Sequence, residues 1–495
     1  MTRGPDRRAV LAGLAALAMP GVAGAQVLNS PWPVPRPPRP PAPDLTSRSR
    51  SLIDAMHLTG AVSCVLADTL SGKVLVAIDP DQPLPPASVT KAVTAAYAFA
   101  ELGPGHRFIT RVLGTGPLQN GVLHGDLILA GGGAPGLSTT DLAALARDLR
   151  LLGLREVTGG FRIWSGALPQ IAEIAPDQPD HLGYNPSVSG LNLNYNRVHF
   201  GWRRSGADYT LTMDARDGDL KPAVQSSRIR LAAREAPVYA HGQDPQTGRE
   251  DWTVARGALG SGGARWLPVR DGGLYAADVF ATLMRAGGIV LQAPQRLDSL
   301  PDGAVLASLP SPALTDIARG MLKYSTNLTA EVLGLSASAA QMGAPAADLA
   351  SSGAAMTVWA RDRLGMQASH FVDHSGLGDG SRATATDMCG ALLRLGPDGA
   401  LGRVLKEITL RRDDGSPEPL RLTAKTGTLN FVSALAGHIA PRDGNPMTFA
   451  IFTADLARRA AIAPEDRENP PGSQGWTRRS RQMQFDLVRL WAGAA

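Results

Sequence analysis

"PPASVTKAVTA", residues 85–95, sets Lys91 three positions after Ser88 at the start of a predicted helix. Only six of the 49 basic side chains are lysine (Lys73, Lys91, Lys221, Lys323, Lys406 and Lys425), so arginine is this chain's habitual source of positive charge. The helix is expected from Ala87 to Leu102, with Gly103-Pro104 as its stop, and a spacing of three puts Ser88 and Lys91 on one face. A serine in a first helical turn lies near the positive end of the helix dipole, which favours a developing oxyanion. A lysine gives up its proton when burial or a second cation lowers its pKa, whereas arginine does not. Ser88 and Lys91 are thus a candidate nucleophile and base. Taken alone, the pattern also fits a helix cap followed by a surface lysine.

The flanking sequence indicates the fold around this pair. "AVSCVLAD" and "KVLVAID" surround the turn "TLSG" and read as a hairpin, and "RLTAKTGTLN", "FVSALAGHIA" and "MTFAIFTAD" read as three further strands near the other end of the chain. An isolated hairpin is marginal in water, so the five strands are expected in one antiparallel sheet. In "RQMQFDLVRLWAGA", Met483, Leu487, Leu490 and Trp491 form an apolar stripe suited to covering one face of that sheet. The same amphipathic pattern allows peripheral membrane association and nothing stronger. Between the two ends lies a long insertion, residues 110–295, with strand-like fragments such as "GDLILAGGG", "NRVHFGW" and "DYTLTM".

At the N-terminus, "MTRGPDRRAVLAGLAALAMPGVAGAQ" joins Arg7-Arg8 to a short apolar run and the small-residue pattern Ala23-Gly24-Ala25. This reads as a cleaved export signal over 1–25 that resembles the twin-arginine type, and it places the expected destination in the periplasm. A proline-rich spacer follows over 26–45. The formal charge of +5 is small and scattered, which argues against nucleic-acid binding. Cys64 lies in an apolar run, so buried free thiols are favoured for Cys64 and Cys389 over a disulfide.

Two further motifs join the first: Ser325-Thr326-Asn327 in the helical stretch "MLKYSTNLTAE", and Lys425-Thr426-Gly427 on a predicted strand. In this order, Ser-x-x-Lys, Ser-x-Asn and Lys-Thr-Gly resemble the serine penicillin-recognising family. The 237 residues between Ser88 and Ser325, and the 100 between Ser325 and Lys425, resemble the low-molecular-mass class C penicillin-binding proteins, the D-alanyl-D-alanine carboxypeptidase/endopeptidases. "GDLILAGGGAPGLS", "SGLNLNYNRV", "LYAADVFATLMRAGGI" and "DHSGLGDGSRATATDM" extend the likeness over residues 46–495. The resemblance implies an α+β (α/β/α) transpeptidase-like domain, 46–109 with 296–495, built on a five-stranded antiparallel sheet flanked by helices, with one or two mainly β subdomains inserted over 110–295.

It further implies that Ser88 attacks the D-Ala-D-Ala bond or a D-linked cross-link of peptidoglycan stem peptides and that Lys91 takes its proton. Ser325 would relay a proton to the leaving amine, and Asn327 would hold Lys91 and the substrate amide. Lys425, Thr426 and Gly427 would bind substrate, and the backbone N–H groups of Ser88 and Thr428 would form the oxyanion hole. No metal or organic cofactor is implied, and β-lactam antibiotics would act as covalent inhibitors. Two departures stand out: Thr326 occupies a position that is often aspartate, and no acidic residue lies close to Trp164, where the family usually carries one. The rival readings are a β-lactamase or esterase on the same scaffold, and a peptidoglycan-binding scaffold protein without activity.

Three weaker signals point elsewhere. "GGGAPG", residues 131–136, lacks the Gly-Lys-Ser/Thr of a phosphate loop and reads as a strand-to-helix turn capped by Ser138 or Thr139. His370 and His374 have i,i+4 spacing without the glutamate of a metalloprotease. Asp373 and Ser375, in the glycine-rich "DHSGLG", are expected to border the cleft and are secondary candidates.

Overall fold

The structure, a computed structural model, describes residues 44–493; the export signal and nearly all of the proline-rich spacer lie outside them. A sheet stands at the centre, in the strand order Lys406–Ile408, Leu420–Leu429, Val432–Pro441, Met447–Ala454, Ala61–Asp68, Val74–Ile78. Every neighbouring pair is antiparallel, and the chain's two ends meet where Ala61 pairs with Ala454. The five expected strands are thus joined by a sixth, "KEI", too short to show an alternating pattern. It pairs only with Leu422–Ala424, which leaves the Lys425–Leu429 edge open.

Alternation along the inner strands splits the core into two layers. Cys64, Leu66, Phe449 and Ile451 face one side, where the C-terminal helix (Ser473–Ala492) lays down Met483, Leu487 and Trp491, all fully buried. Full burial of each such side chain stabilises by roughly 2 kcal/mol, and it commits the amphipathic stripe to the sheet. Leu490 sits only half-buried at its margin. Val65, Ala67, Ala450 and Phe452 face the opposite layer, which holds the helices Thr90–Leu102, Asn327–Met342 and Ala385–Leu395. Cys64 and Cys389 are buried and free, and burial pushes both thiols up to about 12.

The segment between Gly103 and the Ser325 motif is mainly β. A five-stranded sheet runs Gln295–Arg296, Phe161–Trp164, Leu127–Ala130, Ile109–Gly114, Ala304–Pro310, beside three-stranded sheets that include Arg197–Ser205 and Glu250–Ala255. The Ala304–Pro310 strand pairs with Ile109–Gly114, although the expected boundary at 295 would leave it in the catalytic part. At "GGGAPGLS" the chain turns into the helix Thr139–Leu151, with Ser138 and Asp141 forming a capping box. No described helix is long and apolar enough to cross a membrane.

Candidate active site

Pro86 leads into a single 3-10 turn, Ala87–Val89, and the α-helix Thr90–Leu102 follows without a break, so Ser88 occupies the turn and Lys91 the first helical turn proper. Ala87 holds φ 46°, a left-handed value that costs a residue bearing a Cβ about 1–2 kcal/mol. The strain sits directly before the nucleophile, where the surrounding packing enforces it.

Two glycines permit that packing. A Cβ on Gly427 would lie 2.7 Å from Pro86 O and 3.1 Å from Ser88 N, so only glycine lets the Lys-Thr-Gly strand lie against the serine turn. Gly376, at φ +72°, passes so close to Ala87 that a Cβ there would stand 1.9 Å from its carbonyl oxygen.

The Ser-Thr-Asn stretch departs from the continuous helix expected for it. The helix Leu314–Tyr324 ends at Ser325, which takes a left-handed φ of 59° while its N–H donates to Met321 O at 2.7 Å. Thr326 is extended, and Asn327 opens the next helix, Asn327–Met342. Thr326 lines a separate pocket of about 290 Å³, away from the Ser88 cleft.

Lys91 Nζ, fully buried, lies 2.9 Å from Ser88 Oγ, 2.8 Å from Asn327 Oδ1 and 2.7 Å from the Ser375 carbonyl. A neutral amine has two N–H groups and one lone pair. Asn327 and Ser375 supply two acceptors, and the Ser88 hydroxyl can accept from the ammonium or donate to the neutral amine, so the same three contacts serve the lysine before and after it takes the Ser88 proton. Burial is the largest cause of a Lys91 pKa lowered to about 8, with the Glu331 and Asp373 carboxyls pulling it upward.

Lys425 Nζ donates to Ser325 Oγ at 3.0 Å and to Thr426 O at 2.6 Å. Burial first, and then the charge of Lys91, hold it well below the usual lysine range.

Ser88, Ser325, Asn327 and Thr428 open onto a cleft of about 710 Å³. Four arginines (Arg459, Arg467, Arg478 and Arg481) also line it, against a single carboxylate, Glu468. That carboxylate is held by His181 and Arg265, each at 2.7 Å. Arg481 Nη2 donates to Thr428 Oγ1 at 2.8 Å, beside the strand edge. Trp164 ends an inserted strand and is not among the cleft-lining residues. His374 is buried against Ser352 and Met356, its pKa lowered to about 3, and no metal-holding cluster occurs among the described residues.

Several contributors escaped sequence reasoning. Tyr184 offers its backbone carbonyl to Asn327 Nδ2 at 2.9 Å, and Arg481 lies on the polar face of the helix whose apolar stripe packs on the sheet. Glu331 is fully buried next to the site; its one visible signal is its place four residues after Asn327 in the apolar run "LTAEVLGL".

Residues 48–469 match the model of the D-Ala-D-Ala carboxypeptidase 3 (S13) family. The chain is 27% identical over 453 residues to a D-alanyl-D-alanine carboxypeptidase of Actinomadura sp. (strain R39), covering 84% of this chain and 82% of that protein. It is 24% identical over 405 residues to the D-alanyl-D-alanine carboxypeptidase DacB of Haemophilus influenzae, covering 76% and 83%. The crystal structure of penicillin binding protein 4 from Haemophilus influenzae superposes with a TM-score of 0.68 at 20% identity, over 85% of this chain and 98% of that one.

Proposed function

This chain belongs to the S13 family and is a serine-type D-Ala-D-Ala carboxypeptidase, and from that premise we propose how its own residues divide the work. Ser88 donates its hydroxyl proton to the neutral Lys91 amine, whose two N–H groups stay on Asn327 and Ser375. Ser88 Oγ attacks the carbonyl carbon of the penultimate D-Ala. Charge builds on the carbonyl oxygen and is met by the backbone N–H groups of Ser88 and Thr428, the first of which lies in a helical turn where N–H groups lack intrahelical acceptors. The proton held by Lys91 passes through Ser325 to the leaving amine, the C–N bond breaks, and the acyl group remains on Ser88. Water then attacks the ester, Lys91 takes its proton, and Ser88 regains one as the acyl product departs.

The terminal carboxylate of the substrate lies along Lys425, Thr426 and Thr428. Its charge restores the Lys425 ammonium that burial has weakened, so carboxylate binding and lysine protonation support each other. The open Lys425–Leu429 edge accepts the substrate backbone as an added strand, with Gly427 admitting its close approach. The four cleft arginines fit peptides carrying carboxylates, the chemistry of peptidoglycan stem peptides. A β-lactam, whose strained amide presents a carbonyl and a carboxylate in the same relation, acylates Ser88 and blocks it. The site of action is the periplasm, reached through the Arg7-Arg8 export signal.

The observation that carries this reading is the fully buried Lys91 Nζ 2.9 Å from Ser88 Oγ, where burial makes the lysine proton easier to lose. Its test is incubation of wild type and Ser88→Ala with a fluorescent penicillin and with a stem pentapeptide. Wild type retains the label and releases D-alanine; Ser88→Ala does neither. An unlabelled wild type, or a labelled Ser88→Ala, refutes the assignment, and rapid loss of the label would move the activity toward a β-lactamase.

A further inference from the structure

Lys91 is held from below by a loop, residues 373–378, that contributes the Ser375 carbonyl at 2.7 Å. A loop carbonyl aims accurately only if the loop itself is fixed, and two buried carboxyls fix this one. Glu331, on the helix Asn327–Met342, accepts the N–H of His374 at 3.0 Å on one oxygen and the N–H of Ser375 at 2.9 Å on the other. Asp373 accepts from Gly376 N at 2.7 Å and Gly378 N at 2.6 Å. Both carboxyls lie among fully or nearly fully buried residues, where an acidic side chain is costly unless its charge is used. Neither touches Ser88, and neither lines the cleft.

We propose that Glu331 and Asp373 are positioning residues for the acylation step: they clamp the 373–378 loop so that its carbonyl orients the Lys91 amine toward Ser88, and their negative charge sets how tightly Lys91 holds its proton. The proposal rests on the Ser88–Lys91 roles given above.

The charged and titratable groups around Lys91 are few. Glu331 faces it from the Asn327–Met342 helix, Asp373 and His374 from the loop, and Lys425 from the central sheet, with Lys406 behind Lys425 on the edge strand. His374 is neutral at working pH, and Lys425 is weakened by burial, so the two carboxyls are what oppose the effect of burial on Lys91. Burial pushes both carboxyls up, Glu331 further through the charge of Asp373, and the backbone N–H groups and Lys91 offset only part of that rise. Both Glu331 oxygens face N–H donors, a geometry that favours the carboxylate over the acid.

The test measures single-turnover acylation by a fluorescent penicillin from pH 5.5 to 9.5, with thermal unfolding of each protein alongside. Removing one negative charge lets Lys91 lose its proton more easily. The acid limb of the profile therefore moves to lower pH by about one unit in both Glu331→Gln and Asp373→Asn. The plateau of Glu331→Gln also falls at least tenfold, because one loop N–H loses its acceptor. Glu331→Asp keeps the charge and keeps the wild-type midpoint while its rate drops.

If both neutral variants bind penicillin with the wild-type midpoint and differ only in melting temperature or yield, the pair is structural and the proposal fails. If one does not fold, the other reads the same midpoint; if neither folds, the pair is likewise assigned to structure alone. A wild type that takes no label refutes the acyl-enzyme roles, an outcome distinct from any of these.

Discussion

Lys91→Arg preserves the positive charge and removes the chemistry. With the lysine at about 8, half of the molecules carry a neutral amine at pH 8. An arginine is effectively always protonated, neutral in fewer than about 1 in 10⁴ molecules at that pH, so the population able to accept the Ser88 proton falls by at least about 10³-fold, or roughly 4 kcal/mol or more. The guanidinium also offers donors and no lone pair, so it can hold Ser88 Oγ only as an acceptor, and the contact at 2.9 Å no longer leads to proton transfer.

The assay is the rate of single-turnover labelling by a fluorescent penicillin between pH 6 and 9, with folding checked by near-UV circular dichroism and a melting curve. Wild type gains about tenfold per pH unit below the midpoint and levels off above pH 8. Folded Lys91→Arg labels at least a thousandfold more slowly across the whole range. A folded Lys91→Arg retaining a tenth of the wild-type rate at pH 8 would refute the role of Lys91 as base.

Arg481→Ala removes a charged donor beside Thr428; the KM for a peptide ending in a free carboxylate should rise about 10-fold with kcat nearly unchanged, while the C-terminal amide of the same peptide shows no change. Gly427→Ala forces a Cβ against Pro86 O and Ser88 N, and should cut acylation at least tenfold, by about 1.4 kcal/mol or more, in a protein that still binds the penicillin. Two buried histidines, His374 lowered to about 3 and His438 to about 4, take up a proton in the unfolded chain well before the native one. Stability is therefore full above pH 6.5 and declines as pH falls toward 4, by about 1.4 kcal/mol per unit for each, and His438→Gln should flatten part of that slope in denaturant titrations.

The residues that carry bond-making chemistry were legible because the chemistry dictates both type and local spacing. Ser88 and Lys91 need one helix face, and Lys425-Thr426-Gly427 needs a strand that reads as a strand. Glu331 was not legible in this way, since a glutamate acquires meaning only through what it is buried against, and Lys91 is 240 positions away. Ser375 acts through a carbonyl that every residue possesses, so sequence marked its loop and not its function. The break at Ser325 had no glycine or proline to announce it, and the left-handed turn there separates two helices that local propensity reads as one stretch. The sixth strand, at three residues, falls below the length at which alternation can be seen.

The pairing of Ala61 with Ala454 carries a consequence for how the protein comes into being. The strand next to the nucleophile's own hairpin is among the last to be synthesised, and Trp476 and Trp491 bond back to Thr59 O and Ser49 Oγ, at 2.9 and 3.0 Å. Contacts across nearly the whole chain make folding slow, because loop closure must precede any reward from pairing. They also mean that the strand bearing Lys425 stands in a completed sheet only once Met447–Ala454 has been made. A polypeptide cut short before that strand is therefore expected to be inert and not partly active, because the edge that would receive the substrate has no sheet behind it.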